Sequence, residues 1–300
     1  MTSAELLIQT AIALIHQLSS KRLHADPRIT RHERYPMMAT RRILLAGSAA
    51  ITAGAMLSTP AAQAGTAARS AKPTVVLVHG AFADASGWNE VAGRLLRDGY
   101  PVIAPANPLR GVSVDAAYLN SVLATIGGPV VLVGHSYGGI VITNAANGNS
   151  NVQALVYVAA FAPDQGETLL DLQNRHPGSR LTEAALDFRP YGEGLVDAYI
   201  QRDAFPSVFA GDVPKTTARL MWAGQRPADL RALGEPSGAP AWTSIPSWFL
   251  AAREDLVLPV AAQRFMAQRA GARVREIDAS HVAMISQPAA TTDLIKRAAR

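Results

Sequence analysis

Cysteine is absent from all 300 residues of the chain. That excludes disulfides, thiolate catalysis and cysteine-based metal sites, so an exported form has to rely on its core. Long apolar runs are missing as well. The run from Ile43 to Leu57 is too short, and too rich in alanine and glycine, for a membrane span. There is also no basic excess to direct the folded part towards nucleic acid. Of the net charge of +5, four units lie in residues 1–64, which hold seven Lys and Arg against three Asp and Glu. Residues 65–300 contain no internal repeat and no low-complexity tract.

The start of the chain reads as a targeting segment. Thr40-Arg41-Arg42-Ile43-Leu44-Leu45 opens the apolar run, Ser58-Thr59-Pro60 follows it, and Ala62-Gln63-Ala64 supplies small residues for cleavage. Charged, apolar and cleavage regions in that order make an export signal. The paired arginines resemble a twin-arginine signal, which carries a folded protein across a bacterial inner membrane. The expected location is periplasmic or secreted, with 37–64 as the signal. A signal begins near its own start codon, so translation is expected to start at Met37 or Met38, with 1–36 an artefactual or disordered extension. Cleavage after Ala64 leaves 236 residues, the size of one α/β domain with an adequate core.

Beyond a small polar lead-in, the pattern alternates strand and helix. Thr74–Val78 is a strand rich in β-branched residues that ends at His79-Gly80-Ala81-Phe82. Residues 87–98 have helical spacing, with Trp88, Val91, Leu95 and Leu96 on the apolar face. A short strand at 101–105, a helix over 114–126 and strands at 130–133 and 152–160 follow. After a long interruption come a strand at 246–252, a helix over 260–270, a strand at 273–277 and a helix over 288–299. Strands that are apolar throughout belong to a parallel sheet covered on both faces. The interruption, residues 162–244, has scattered Pro and Gly, short helical pieces and the aromatics Phe188, Tyr191, Tyr199, Phe205, Phe209 and Trp222. An insertion of that size in a compact domain reads as a functional lid.

The chemistry centres on Gly134-His135-Ser136-Tyr137-Gly138-Gly139, directly after Val130-Val131-Leu132-Val133. A serine between glycines, where a strand stops and a helix starts at once, has the layout of a nucleophile elbow. The turn forces Ser136 into a strained conformation, while Gly134 and Gly138 leave space that a Cβ would fill. The N–H groups at the start of the following helix favour negative charge at the same spot.

A serine hydroxyl needs a base, and four histidines follow residue 64: His79, His135, His176 and His281. His135 is expected to point away from its neighbour, His176 lies in a polar part of the insertion, and His79 supports its loop by hydrogen bonding. His281, in the loop after the last strand, shares a sheet edge with Ser136 and is the expected base. The orienting carboxylate comes from Glu254 or Asp255, which precede Pro259. Asp255 is favoured because its spacing to Pro259 suits a turn into the next helix, and Arg253 is read as solvated or salt-bridged. The order Ser136, Asp255, His281 is that of α/β-hydrolases. Oxyanion donors are expected from the backbone N–H of Tyr137 and of Ala81, with Phe82 as the alternative. Phe82 and Trp222 are expected to line the substrate pocket.

Together, His79-Gly80-Ala81 with Trp88, the glycine-flanked serine, Glu254-Asp255 with Pro259, and Ser280-His281-Val282-Ala283-Met284 with Pro288 resemble the small α/β-hydrolase esterases. Within these they are most similar to bacterial carboxylesterases and the plant methyl esterase and hydroxynitrile lyase group. The resemblance covers residues 73–299 and implies an α/β-hydrolase fold, a mostly parallel doubly wound sheet with a helical lid inserted after the strand ending near Ala160. It implies Asp255 as the triad acid. In the lyases a lysine follows the catalytic histidine, and Val282 at that position argues against lyase chemistry. The implied activity is hydrolysis of a small-molecule carboxylic ester, by steps that need no metal or organic cofactor. The same triad also serves lactone opening, C–C bond hydrolysis or perhydrolysis, and a non-catalytic binding module is the reading outside enzymes. The near-neutral surface left without residues 1–64 permits a homodimer.

Overall fold

The computed structural model describes residues 72–300. The expectations for the export signal, the upstream extension and the domain start at 65 lie outside the described residues.

The described chain runs β1 (Thr74–Val78), α1 (Asn89–Arg97), β2 (Val102–Ile103), α2 (Val112–Leu123), β3 (Val130–His135), α3 (Gly138–Ala145) and β4 (Val152–Val158). The insertion holds α4 (Leu169–Asn174), β5 (Leu186–Gly192), β6 (Leu195–Ile200), α5 (Phe205–Val208), α6 (Lys215–Ala223), β7 (Ala228–Asp229) and α7 (Leu230–Gly234). The sheet pattern then resumes with β8 (Ser247–Ala252), α8 (Val260–Arg269), β9 (Arg273–Ile277), α9 (Ala283–Ser286) and α10 (Pro288–Ala298).

Six strands form one sheet in the order β2-β1-β3-β4-β8-β9, parallel at every pairing. Successive side chains of a strand point to opposite faces, and every residue of β3 is buried, so both faces of the sheet are covered. Each of the four aliphatic residues Val130–Val133 contributes roughly 2 kcal/mol by leaving water. Register then sets the site. Val78 pairs with Gly134, His135 with Val158, Val158 with Leu250, and Ala252 with Ile277. The C-terminal ends of β1, β3, β8 and β9 therefore lie along one edge, where open α/β sheets place their ligand sites.

Three local differences from the sequence pattern have physical causes. Leu96 is 58% exposed while Trp88, Val91 and Leu95 are fully buried, because a step of about 100° per residue turns Leu96 off the stripe that Leu95 occupies. Helix α2 starts at Val112 rather than 114, and Asp115 Oδ1 accepts the Arg110 N–H at 3.1 Å just ahead of it. Strand β3 runs on to His135, since Gly134 and His135 still pair with β4.

The insertion is not purely helical. Strands β5, β6 and β7 form a separate antiparallel sheet in that order. An apolar run does not mark it, because β5 is an edge strand carrying Asp187, Arg189, Pro190 and Gly192, most of it exposed. Proline is tolerated at an edge, where its missing N–H interrupts no central ladder.

Candidate active site

Ser136 stands between β3 and α3 with a φ of 50°, a left-handed conformation that a non-glycine residue holds only at a cost. The surrounding backbone enforces it. A Cβ on Gly134 would meet Gly138 O at 2.6 Å, one on Gly138 would meet Val78 O at 2.5 Å, and one on Gly139 would meet Phe161 O at 2.3 Å. The glycines are therefore a packing requirement, and Gly139, which the sequence pattern did not single out, has the closest approach of the three.

The loops after β3, β8 and β9 bring Ser136, Asp255 and His281 together. Ser136 Oγ–H donates to His281 Nε2 at 2.8 Å, and His281 Nδ1–H donates to Asp255 Oδ2 at 2.7 Å. Asp255 and His281 are almost wholly buried. The remaining lone pairs of Asp255 are also engaged: Oδ1 accepts the Val257 and Leu258 N–H groups, both at 2.8 Å, and Oδ2 accepts Gln263 Nε2–H at 2.9 Å. Four hydrogen bonds hold the carboxylate in one orientation. Glu254, the neighbouring alternative, is exposed, and Arg253 pairs with Asp278 at 2.6 Å.

Gln263 is a contributor that the sequence did not reveal. It is fully buried in α8, and its Oε1 accepts the Ala252 N–H at 3.1 Å while its Nε2 donates to Asp255 and to Leu258 O at 2.8 Å. A lone Gln in an otherwise ordinary helix carries no motif. The nearest available signal is its position, one turn after Pro259.

His135 does not point away from the site. Its Nε2–H donates to His281 O at 2.9 Å, and its ring lies 4.9 Å from that of His281. The residue precedes the turn at Ser136 and still belongs to β3, so its side chain leaves the sheet towards the β9 loop. Burial, with His281 as a lesser cause, holds the His135 imidazole well below the usual histidine range. The neutral ring therefore adds no like charge against an imidazolium at His281. His79 holds its loop: Nε2 accepts the Asn107 N–H at 2.9 Å, and Asn107 Nδ2–H returns to His79 O at 3.0 Å. His176 packs on Phe265, with ring centres 5.8 Å apart.

Beside Ser136, the Tyr137 backbone is anchored through its side chain. Tyr137 Oη–H donates to buried Asp115 Oδ2 at 2.7 Å, and burial raises the pKa of both groups. Tyr137 and Ala81 border the same cavity as Ser136. The Phe82 N–H, the alternative oxyanion donor, is already committed to Arg226 O at 3.0 Å. That removes it from the donor pair.

The cavity measures about 330 Å³ and is roofed by the insertion. Phe82, Phe161, Phe188 and Phe209 line it with several leucines, and Glu183 is the one Asp, Glu, Lys, Arg or His among the described lining residues. Phe209 is one of the insertion's aromatics. It packs 5.1 Å from the His281 ring and T-shaped on Phe82. Trp222, by contrast, is not part of the wall. Its Nε1–H donates to Ile200 O at 3.2 Å, which ties it to β6. The insertion also grips the histidine loop directly, since Asp212 accepts both the Ser280 N–H, at 2.9 Å, and the Ser280 hydroxyl.

Residues 75–294 match the alpha/beta hydrolase family. The chain belongs to this family. Among its relatives, the alpha/beta hydrolase nvfD of Aspergillus novofumigatus is 28% identical over 251 residues, covering 76% of this chain and 97% of that protein. A pyrethroid hydrolase of Sphingobium wenxiniae is 28% identical over 244 residues, covering 71% and 83%. The crystal structure of polyneuridine aldehyde esterase shares the fold, with a TM-score of 0.67 and 22% identity over 75% of this alpha/beta hydrolase and 98% of that chain.

Proposed function

We propose that this hydrolase cleaves a small carboxylic ester through an acyl-enzyme on Ser136. The observation that carries the reading is the continuous hydrogen-bond chain from Ser136 Oγ through His281 to Asp255, which opens on an apolar cavity. His281 Nε2 takes the Ser136 proton as Oγ attacks the ester carbonyl, and the Asp255 carboxylate stabilises the resulting imidazolium. The Ala81 and Tyr137 N–H groups hold the oxyanion, each contributing about 3 kcal/mol to the transition state. His281 then gives its proton to the departing alcohol oxygen. Water, deprotonated by the same nitrogen, attacks the acyl carbon and releases the acid with Ser136 restored. The apolar lining favours uncharged substrate halves, and the relative named as a pyrethroid hydrolase lends support to hydrolysis of an apolar substrate.

A fluorophosphonate probe should label the protein once, at Ser136, and p-nitrophenyl acetate should be turned over. Ser136→Ala should abolish labelling and lower kcat by about 10⁴-fold or more. A folded protein that neither labels nor turns over short esters would overturn this reading.

A further inference from the structure

Asp115 is fully buried in the first turn of α2, and no cation among the described residues pairs with it. The guanidinium of Arg110, five residues earlier, is turned instead to Asp197 Oδ1 of β6 at 2.5 Å. A buried carboxylate without a cation is costly unless neutral donors replace its water. Here they are the Arg110 N–H, 3.1 Å from Oδ1 and 3.2 Å from Oδ2, and the Tyr137 Oη–H, 2.7 Å from Oδ2. A phenylalanine at 137 would fill the same space and need no acceptor, so the pairing of phenol and carboxylate adds direction rather than volume.

The loop that carries this carboxylate is itself fixed. Leu109 is fully buried with a φ of 60°, a strained conformation that a bulky residue keeps only where its surroundings over-determine it. The insertion supplies three of those constraints. The Asp229 N–H donates to Leu109 O at 3.1 Å, Asp197 holds Arg110, and Glu235 Oε1 accepts the Ser113 N–H at 3.2 Å.

At its other end the phenol bears on the peptide that joins Ser136 to Tyr137. Ser136 O accepts the Gly139 N–H at 2.9 Å and the Phe161 N–H at 3.1 Å, which pins one side of a planar unit. The opposite side carries the Tyr137 N–H, which makes no hydrogen bond among the described residues. With the carbonyl oxygen pinned, the plane can still tilt about it, and the N–H swings with the Tyr137 Cα. A ring tethered at Oη restrains that swing.

Resting on the esterase reading, we propose that Asp115 is a positioning residue for the reaction: through the Tyr137 phenol it sets where the Tyr137 N–H points when the oxyanion forms.

The test measures kcat/KM for p-nitrophenyl acetate and the inhibition constants of two ketones of similar shape. Ser136 Oγ adds to the carbonyl carbon of trifluoromethyl pentyl ketone, its proton passes to His281 Nε2, and the former carbonyl oxygen becomes an anion facing the Tyr137 N–H. Methyl pentyl ketone enters the same cavity without that charge. Tyr137→Phe and Asp115→Ala should each lower kcat/KM and weaken the fluorinated ketone about tenfold, less than the roughly hundredfold of an oxyanion donor removed outright. Methyl pentyl ketone should stay within twofold. A merely structural role would lower stability and leave the ratio of the two inhibition constants in place. Asp115→Asn, which keeps the shape and an acceptor for the Arg110 N–H, guards against loss of the fold and should move the ratio the same way by less. Added to Tyr137→Phe, Asp115→Ala should change the ratio by no more than a further twofold, because the two act through one contact. A ratio within twofold of the unmodified protein in all three single variants, or losses that multiply in the double variant, would overturn the inference and leave the esterase reading intact. An unmodified protein that neither turns over p-nitrophenyl acetate nor prefers the fluorinated ketone would instead sink the esterase reading.

Discussion

At the scale of single residues, the site depends on groups that never meet the substrate. Asp255 spends four hydrogen bonds on staying in place, and only the one to His281 belongs to the reacting chain. Gln263→Leu would strip a donor from Asp255 Oδ2 and leave the buried Ala252 N–H without its partner. An unsatisfied buried group costs about 1–3 kcal/mol, so urea unfolding should report a loss of that order. The carboxylate that orients His281 also loses one of the bonds that hold it in place. The kcat of Gln263→Leu should therefore fall by about tenfold with KM little changed. A stability loss with an unchanged kcat would make Gln263 merely structural. At this scale the sequence displayed Ser136 through its glycines and His281 through its place after the last strand. It gave no sign of Gln263, whose role depends on the side-chain reach of α8 towards the β8 loop, and it misdirected Trp222 because aromatic character does not reveal direction.

Elements impose stronger constraints than any one side chain. The elbow requires α3 to pass so close to the end of β1 and to the segment after β4 that no Cβ fits at Gly138 or Gly139. Gly139→Ala places a methyl 2.3 Å from Phe161 O and should cost about 3 kcal/mol or more through overpacking. Gly127→Ala, with open space around its site, should stay within about 0.5 kcal/mol of the unmodified protein. Thermal midpoints separate the two, and equal midpoints would mean that the elbow tolerates a wider turn. The parallel sheet was legible because every central strand is apolar on both faces. The insertion's antiparallel sheet was not, because an exposed edge strand with Pro190 and two charges has the composition of a loop.

Across the whole molecule, two buried histidines couple stability to pH. Burial is the main cause that lowers the pKa of both His79 and His135 below 6.5. Below pH 6.5 the unfolded chain therefore binds protons that the folded chain refuses. Stability should fall as pH drops through that window, by up to about 1.4 kcal/mol per pH unit for each histidine. Denaturation curves at pH 7.5 and 5.5 check this, and His135→Gln, which keeps an N–H donor towards His281 O, should flatten the slope. An unchanged slope in that variant would refute the assignment to His135. The sequence by itself determined the order of strands and helices, the glycine-flanked turn and the order of serine, carboxylate pair and histidine, because apolar periodicity and backbone sterics are local. Tertiary structure alone decided which carboxylate faces the histidine, which N–H is free beside Ser136, and which aromatics enclose the cavity. Those outcomes depend on strand register and on how the insertion folds back over the sheet edge, and neither is encoded within any one stretch of chain.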